Sequence, residues 1–384
     1  MEIFMKAKLK GEEKAWVDGV LDKLDKKLSR VAVRSRDKIP YTSKNGVHDN
    51  RLLDSPSWWT NGFWGGMMWL MYHYTGNEEY RKTAENAEKL MDVAFRDFDE
   101  LHHDVGFMWH LMSGANYRLT GNASSRLRNL YAASLLASRY NIDGGFIRAW
   151  PSENCAGFSI IDSMMNISIL YWATDETKDT RYKKVAMAQA DMAVRDHIRF
   201  DGSVKHIVEH DPDTGEYVKT HGGQGYDENS CWSRGQAWAI YGMVLSYVHT
   251  KKQIYLDAAV KAANYFIVNC RASGYLSVAD FRAPVEPVYY DSTAGVCAAC
   301  GILEISKYVS DAESKMYVEE AINILKATER EFCDFDINTD SVVLKGSERY
   351  PLSSREGLHI PIIYGDFFFV EAMLKLADSD FLIW

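Results

Sequence analysis

The stretch GFSIIDSMMNISILYWA, residues 157–173, decides how the chain folds. Ile161, Met164, Met165, Ile169 and Trp172 recur at helical spacing with few polar residues between them, which predicts a helix covered on most sides. The next periodic stretch, RYKKVAMAQADMAVRDHI (181–198), differs: its Lys, Arg and Asp residues leave only one apolar stripe, so it predicts a half-solvated helix. NGFWGGMMWLMYHYTGN (61–77) followed by EEYRKTAENAEKLMDVAFRDF (78–98) repeats the alternation. About a dozen helices paired in this way predict an all-α fold of two concentric rings. Loops at one end of the inner ring then surround a pocket.

The chain has only 8 prolines and no Pro/Ser/Gly-rich linker, so residues 1–384 are expected to form a single domain. The main β signal is GSVKHIVEHDPDTGEYVKTHGG (202–223), where two β-rich runs flank the turn DPDTG and predict a hairpin. Asp211, Asp213 and Gly215 begin like a calcium loop, but the acidic residue before the glycine and the closing Glu are absent, so a turn is expected instead.

A net charge of -9 with Lys and Arg scattered along the chain argues against nucleic acid and anionic membranes as partners. A few placed arginines or histidines can still hold a small carboxylate. The amino-terminal residues lack an apolar signal region and no segment reaches ~18 apolar residues, which predicts a cytoplasmic protein. Six dispersed cysteines agree with a reducing compartment. Cys297 and Cys300 have CxxC spacing without a second such pair, inside an apolar helical run, and are expected to be core residues.

Three stretches carry candidate chemistry. Asp162 lies off the apolar stripe of its helix with Asn166 one turn on; it is either a cap for that helix or a carboxylate aimed into a pocket, with Asn166 bonding it or a ligand. Asp104, in DELHHDVGFMWH, is a turn former or a second carboxylate; the adjacent His102 and His103 have no spacing that fixes a metal geometry. In HGGQGYDENSCWSRGQAWAIYG (221–242), Arg234 and Trp238 share a helix face, Trp232 stands at its mouth and Gln224 lies in the glycine-rich loop before it. Arg beside Trp is either cation–π packing or, with Gln224, what a uronic acid needs: a bidentate carboxylate partner, a stacking plate and an amide for hydroxyls. In SPSWWTNGFWGGMMW, Trp64 is expected in the core and Trp59 at a pocket.

The motifs WTNGFW, HHDVGF, IDSMMNISILYWA and CWSRGQAWAIYG, in this order and over nearly the whole chain, resemble the unsaturated glucuronyl hydrolases of glycoside hydrolase family 88. The resemblance implies an (α/α)6 barrel and release of Δ4,5-unsaturated uronic acid from the non-reducing end of lyase-generated oligosaccharides, by hydration of the C4=C5 bond, with no metal and no organic cofactor. It implies Asp162 as general acid and then base and Asp104 as the second essential carboxylate. It also implies Trp59, Trp232 and Trp238 as aromatic walls and His206, Gln224, Arg234 and Tyr350 as polar contacts to the sugar. SSREGLHIPIIYGDFFF departs from the family pattern; Ser353, Ser354 and Arg355 are the candidates there for reading a second sugar.

Two carboxylates facing an anionic substrate repel it unless one is protonated, so activity weighted to mildly acidic pH is expected. Rival readings are an unsaturated rhamnogalacturonyl hydrolase on the same scaffold, a sugar epimerase using paired histidines, and a noncatalytic sugar-binding protein. The first is disfavoured by SCWSRGQAW and DSMMN, the second by the lack of a matched helical His pair, and the third by the two carboxylates and the missing export signal.

Overall fold

Short turns at one end of the molecule and long connections at the other set its architecture. Thr-Gly-Asn at 75–77 and 120–122, Thr-Lys-Asp at 177–179 and Thr-Lys-Lys at 250–252 each reverse the chain between two helices. In all four the middle residue is left-handed (φ +70, +75, +62 and +58), ending the first helix. At three of them the third residue caps the next helix through its side chain, as Asn77 does for the Glu79 N–H. Turns this tight force antiparallel neighbours.

The computed structural model of the chain describes residues 9–96 and 98–384. Among these residues, six helical segments close a ring: Phe63–Thr75, Gly106–Gly114 continued by Ala115–Thr120, Ser163–Asn166 continued by Ser168–Thr177, Ser233–Thr250, Ser292–Ile305 and Ile363–Leu376. Each has an outer partner, in turn Glu78–Leu90, Ala123–Ser138, Thr180–Met192, Gln253–Ala272, Asp311–Phe332 and, closing the circle, the first helix Gly11–Arg34. This is the (α/α)6 barrel. Every residue of the Ser292–Ile305 helix is buried, Cys297 and Cys300 included, and burial pushes both thiols up, as expected of core cysteines.

The barrel axis is filled with aromatic rings rather than left as a channel. Phe63 and Phe107 lie 5.1 Å apart, Phe107 touches Trp238 at 5.3 Å, and Trp384 stacks on Phe368 at 6.1 Å with ring planes 7° apart. The Trp384 indole donates to the buried Glu371 carboxylate, to which Tyr241 also donates. The carboxyl-terminal segment therefore plugs the end where the short turns lie.

One expectation needs correction. Residues 157–173 are not one helix: Phe158–Ile160 is a strand, Ser163–Asn166 a single helical turn, and Ser168–Thr177 a second helix. The strand pairs with Ile207–His210, which pairs in turn with Tyr217–His221, so the expected hairpin is part of a three-stranded antiparallel sheet. Gly157 permits the pairing, because a Cβ there would lie 1.8 Å from the His210 carbonyl oxygen. The segment after Asp104 is wound as a π-helix, Gly106–Gly114, a form that often marks functional sites. Asp211 accepts the Asp213 and Thr214 N–H groups, as a turn requires. No helix among the described residues is long and apolar enough to cross a membrane.

Candidate active site

Because the short turns occupy one end, every inner helix begins at the other, after a long connection. Asp104, Asp162, Trp232 and Asp291 each stand one or two residues before such a start. Converging helix N-termini make this end favourable for a negatively charged ligand.

Asp162 occupies the N-cap position of Ser163–Asn166, yet its side chain makes no cap hydrogen bond, so the capping explanation fails. Its Oδ1 is buried without a hydrogen-bond partner and lies 3.4 Å from His206 Nε2, which is equally unpartnered. His206 Nδ1 lies 3.0 Å from the Gln224 N–H and 3.3 Å from the Gly222 carbonyl oxygen, which holds the ring with Nε2 facing Asp162. Gly223 makes this approach possible: its φ is +60 and a Cβ would fall 2.2 Å from His206 Nδ1. Gly223→Ala is accordingly expected to displace His206 and lower kcat/KM by about 100-fold with little change in melting temperature; an unchanged kcat/KM would show that the imidazole position is immaterial.

Asp104 is differently furnished. Its Oδ1 accepts from Asn166 Nδ2 at 2.8 Å, and its Oδ2 lies 3.3 Å from His102 Nδ1 and 3.2 Å from His103 Nε2. Burial alone would raise this carboxyl, but His103, His102 and the Asn166 amide together hold it below its ordinary value. His103 continues to Ser163 Oγ at 3.1 Å, giving a serine–histidine–aspartate series. Ser163 is 0% exposed, so it is no nucleophile for a substrate; the series ties the Asp104 loop to the residue after Asp162.

Arg234 is 1% exposed and spends much of its guanidinium inside the protein: Nη1 donates to Asp291 Oδ2 at 2.6 Å and to the Ser347 carbonyl at 2.6 Å, and Nη2 donates to the Glu348 carbonyl at 2.7 Å. Its Nε has no partner. The cation also lies 4.4 Å from the Trp232 ring and 5.2 Å from that of Tyr364, so packing and carboxylate-binding geometry coexist. Asp291, fully buried, escaped the sequence reading; its only signal was its place before the helical run STAGVCAACGILEI.

Of the three tryptophans expected as walls, Trp59 keeps exposed ring surface, with Tyr364 behind it at 5.0 Å. Trp232 is 2% exposed, with His206 at 4.4 Å, and Trp238 is 0% exposed among Phe107, Phe368 and Tyr364, backing the pocket from within the aromatic core. Trp64 is core, as expected. Gln224 donates to the Glu348 carbonyl and accepts from the Tyr350 N–H, joining its loop to the 346–360 segment. Between them lies a cleft of about 450 Å³ lined by Gly223, Gly225, Tyr350, Ser353 and Ser354, with the Glu348 and Glu356 side chains on its walls. Arg355 is exposed beside it.

Buried histidines make this fold acid-sensitive. His48, His103 and His197 are held neutral down to about 4, in each case chiefly by desolvation, against an ordinary value of 6.5. In the unfolded chain each takes up a proton near 6.5, so acid favours unfolding and stability is lost as the pH falls from 6.5 to 4. Asp366, raised to about 7 by burial, binds its proton in the fold and offsets part of this loss. Urea midpoints measured from pH 7.5 to 4.5 should fall steadily; a flat profile would contradict the buried neutral rings.

The comparisons agree with this arrangement. The family model described as Glycosyl Hydrolase Family 88 matches residues 31–278. An unsaturated glucuronyl hydrolase from Bacillus sp. (strain GL1) is 33% identical over 349 residues, 88% of this chain and 91% of the relative. An unsaturated chondroitin disaccharide hydrolase from Streptococcus pneumoniae (strain ATCC BAA-255 / R6) is 32% identical, covering 87% of this chain and 85% of that one. The crystal structure of the unsaturated glucuronyl hydrolase from Bacillus sp. GL1 superposes with a TM-score of 0.86 at 31% identity, covering 94% of this chain and 96% of that one. An inner ring closed by six helical segments, two buried carboxylates at its open end and sequence likeness along most of the chain place this protein in glycoside hydrolase family 88.

Proposed function

We propose that this glycoside hydrolase removes Δ4,5-unsaturated uronic acid from the non-reducing end of oligosaccharides left by polysaccharide lyases, glycosaminoglycan disaccharides among them. The observation that carries the reading is the unequal pair of carboxylates: Asp104 accepts from Asn166 on one oxygen and faces His102 and His103 with the other, whereas Asp162 presents a buried, unpartnered oxygen beside His206. One carboxylate held as an anion by its neighbours and another with an oxygen left open to a reacting group is the division acid–base catalysis requires.

In this mechanism Asp162 gives its proton to C4 of the unsaturated sugar. The cation that develops at C5 is met by a water from which Asp162, now a carboxylate, takes a proton. The C5 hydroxyl formed makes a hemiketal, which opens to a ketone; the hemiacetal this leaves at C1 then expels the aglycone. The anomeric carbon is never attacked. Asp104, His206 and the convergent helix N-termini orient the sugar and stabilise charge, Trp59 stacks on it, Gln224 serves its hydroxyls, and Arg234, committed to Asp291 and the 347–348 carbonyls, holds the wall behind them rather than meeting the sugar carboxylate directly. Trp232 and Trp238 support this wall, and Tyr350 borders the cleft of the second sugar.

Related proteins act on substrates of this class: the streptococcal relative is named for unsaturated chondroitin disaccharide, and a further structure with a TM-score of 0.83 at 27% identity is described as specific for heparin. The proposal places the enzyme in the cytoplasm, a setting consistent with six unpaired cysteines. The test is loss of the ultraviolet absorbance of the C=C bond on incubation with unsaturated chondroitin, hyaluronan and heparin disaccharides. A decrease on at least one is expected; no decrease on any would reject the reading.

A further inference from the structure

The two carboxylates belong to different inner helices, and one buried side chain spans the gap. Asn166 is 0% exposed. Its Oδ1 accepts the Phe107 N–H at 2.7 Å, which fixes the orientation of the amide without appeal to any other group. The Nδ2 must then face the other way, where it donates to Asp104 Oδ1 at 2.8 Å and to the Asp162 carbonyl at 3.2 Å. Both amide protons are taken and the side chain is fully buried, so of the two partners expected for Asn166, Asp162 or a ligand, the structure gives it the Asp162 carbonyl together with Asp104. Gly106 is shaped to the same contact: a Cβ there would lie 2.5 Å from the Asn166 carbonyl oxygen and 2.8 Å from its Oδ1.

We propose that Asn166 is a positioning residue for the reaction, holding Asp104 against the Asp162 turn and donating to the Asp104 oxygen that faces it. This rests on the proposed hydration chemistry for its kinetic consequence, though not for its structural one. The amide crosses between the π-helical segment and the turn that carries Asp162. It stabilises the anionic form of Asp104, which is also faced by His102 and His103 from its own loop and lies within electrostatic range of Arg139, the residue following the 123–138 helix. His103 lies within electrostatic range of both carboxylates. The Asn166 contact is thus the neutral donor in a set of otherwise titratable neighbours.

Asn166→Asp preserves size and the acceptor for the Phe107 N–H, but sets a carboxylate against Asp104 so that the two must share a proton. Carbon-13 titration of the Asp104 carboxyl in the folded protein is expected to move upward by about one pH unit or more in this variant. This measurement needs no substrate. An unmoved midpoint in a folded variant would overturn the proposal. With an unsaturated disaccharide, kcat should fall about 100-fold with KM nearly unchanged, and the acidic limb of the pH profile should move to higher pH. Asn166→Ala should lose kcat with a smaller shift of that limb. A lower melting temperature with wild-type kcat and pH profile would show a merely structural residue. A wild type inactive on every unsaturated disaccharide rejects the function while leaving the titration to decide the role of Asn166.

Discussion

Asp162→Asn is expected to leave the fold and the binding of an unsaturated disaccharide intact while lowering kcat by about 1000-fold. The fold should survive because the Asp162 side chain caps nothing and its Oδ1 has no partner to lose. Binding should survive because the walls belong to other residues. What disappears is the proton: an amide cannot deliver one to C4 or recover one from water. Ligand binding by calorimetry, circular dichroism and the ultraviolet assay separate the three quantities. Turnover within a few-fold of wild type would remove Asp162 from the mechanism.

Arg234→Met carries the largest expected cost in stability. The guanidinium holds together the start of the 233–250 helix, the cap of the 292–305 helix and the carbonyls of Ser347 and Glu348. Removing it strands the Asp291 carboxylate at 0% exposure, with its remaining donors the Thr293 N–H and hydroxyl and the Ser347 N–H. Breaking a buried pair in this way costs about 3–5 kcal/mol. The urea midpoint should fall with the slope preserved. Adding Asp291→Asn should recover part of the loss, since the uncompensated charge then disappears. A loss below about 1 kcal/mol in the single variant would mean the pair behaves like a surface ion pair.

How much of this was legible in the sequence differs by the range of the interaction. The double ring follows from apolar periodicity, a local property, and Asp104 and Asp162 stood out as charges at the edges of apolar runs. The strand Phe158–Ile160 was misread because SII is as consistent with a buried strand as with a helix; the partner that decides it, Ile207–Glu209, lies almost fifty residues away. The π-helix was invisible because the apolar run GFMWHLM is compatible with any helical winding. Asn166 was correctly placed on the face of Asp162, to whose carbonyl it donates, yet its other partners, Asp104 and Phe107, come from the loop and helix start near residue 106. Arg234 looked like a free fork because Asp291 and the 347–348 carbonyls reach it only through the tertiary fold. Trp238 shared its helix face as expected, but aromatic residues on two other helices cover it.

The aromatic plug along the axis limits the geometry of catalysis. With Trp384 and Phe368 stacked across the far end and Phe63, Phe107 and Trp238 above them, the axis is closed below the two carboxylates. An oligosaccharide cannot thread through the barrel along this axis, so a substrate must approach Asp162 from the end at which the inner helices begin. Both products of the proposed cleavage then leave by the end through which the substrate came.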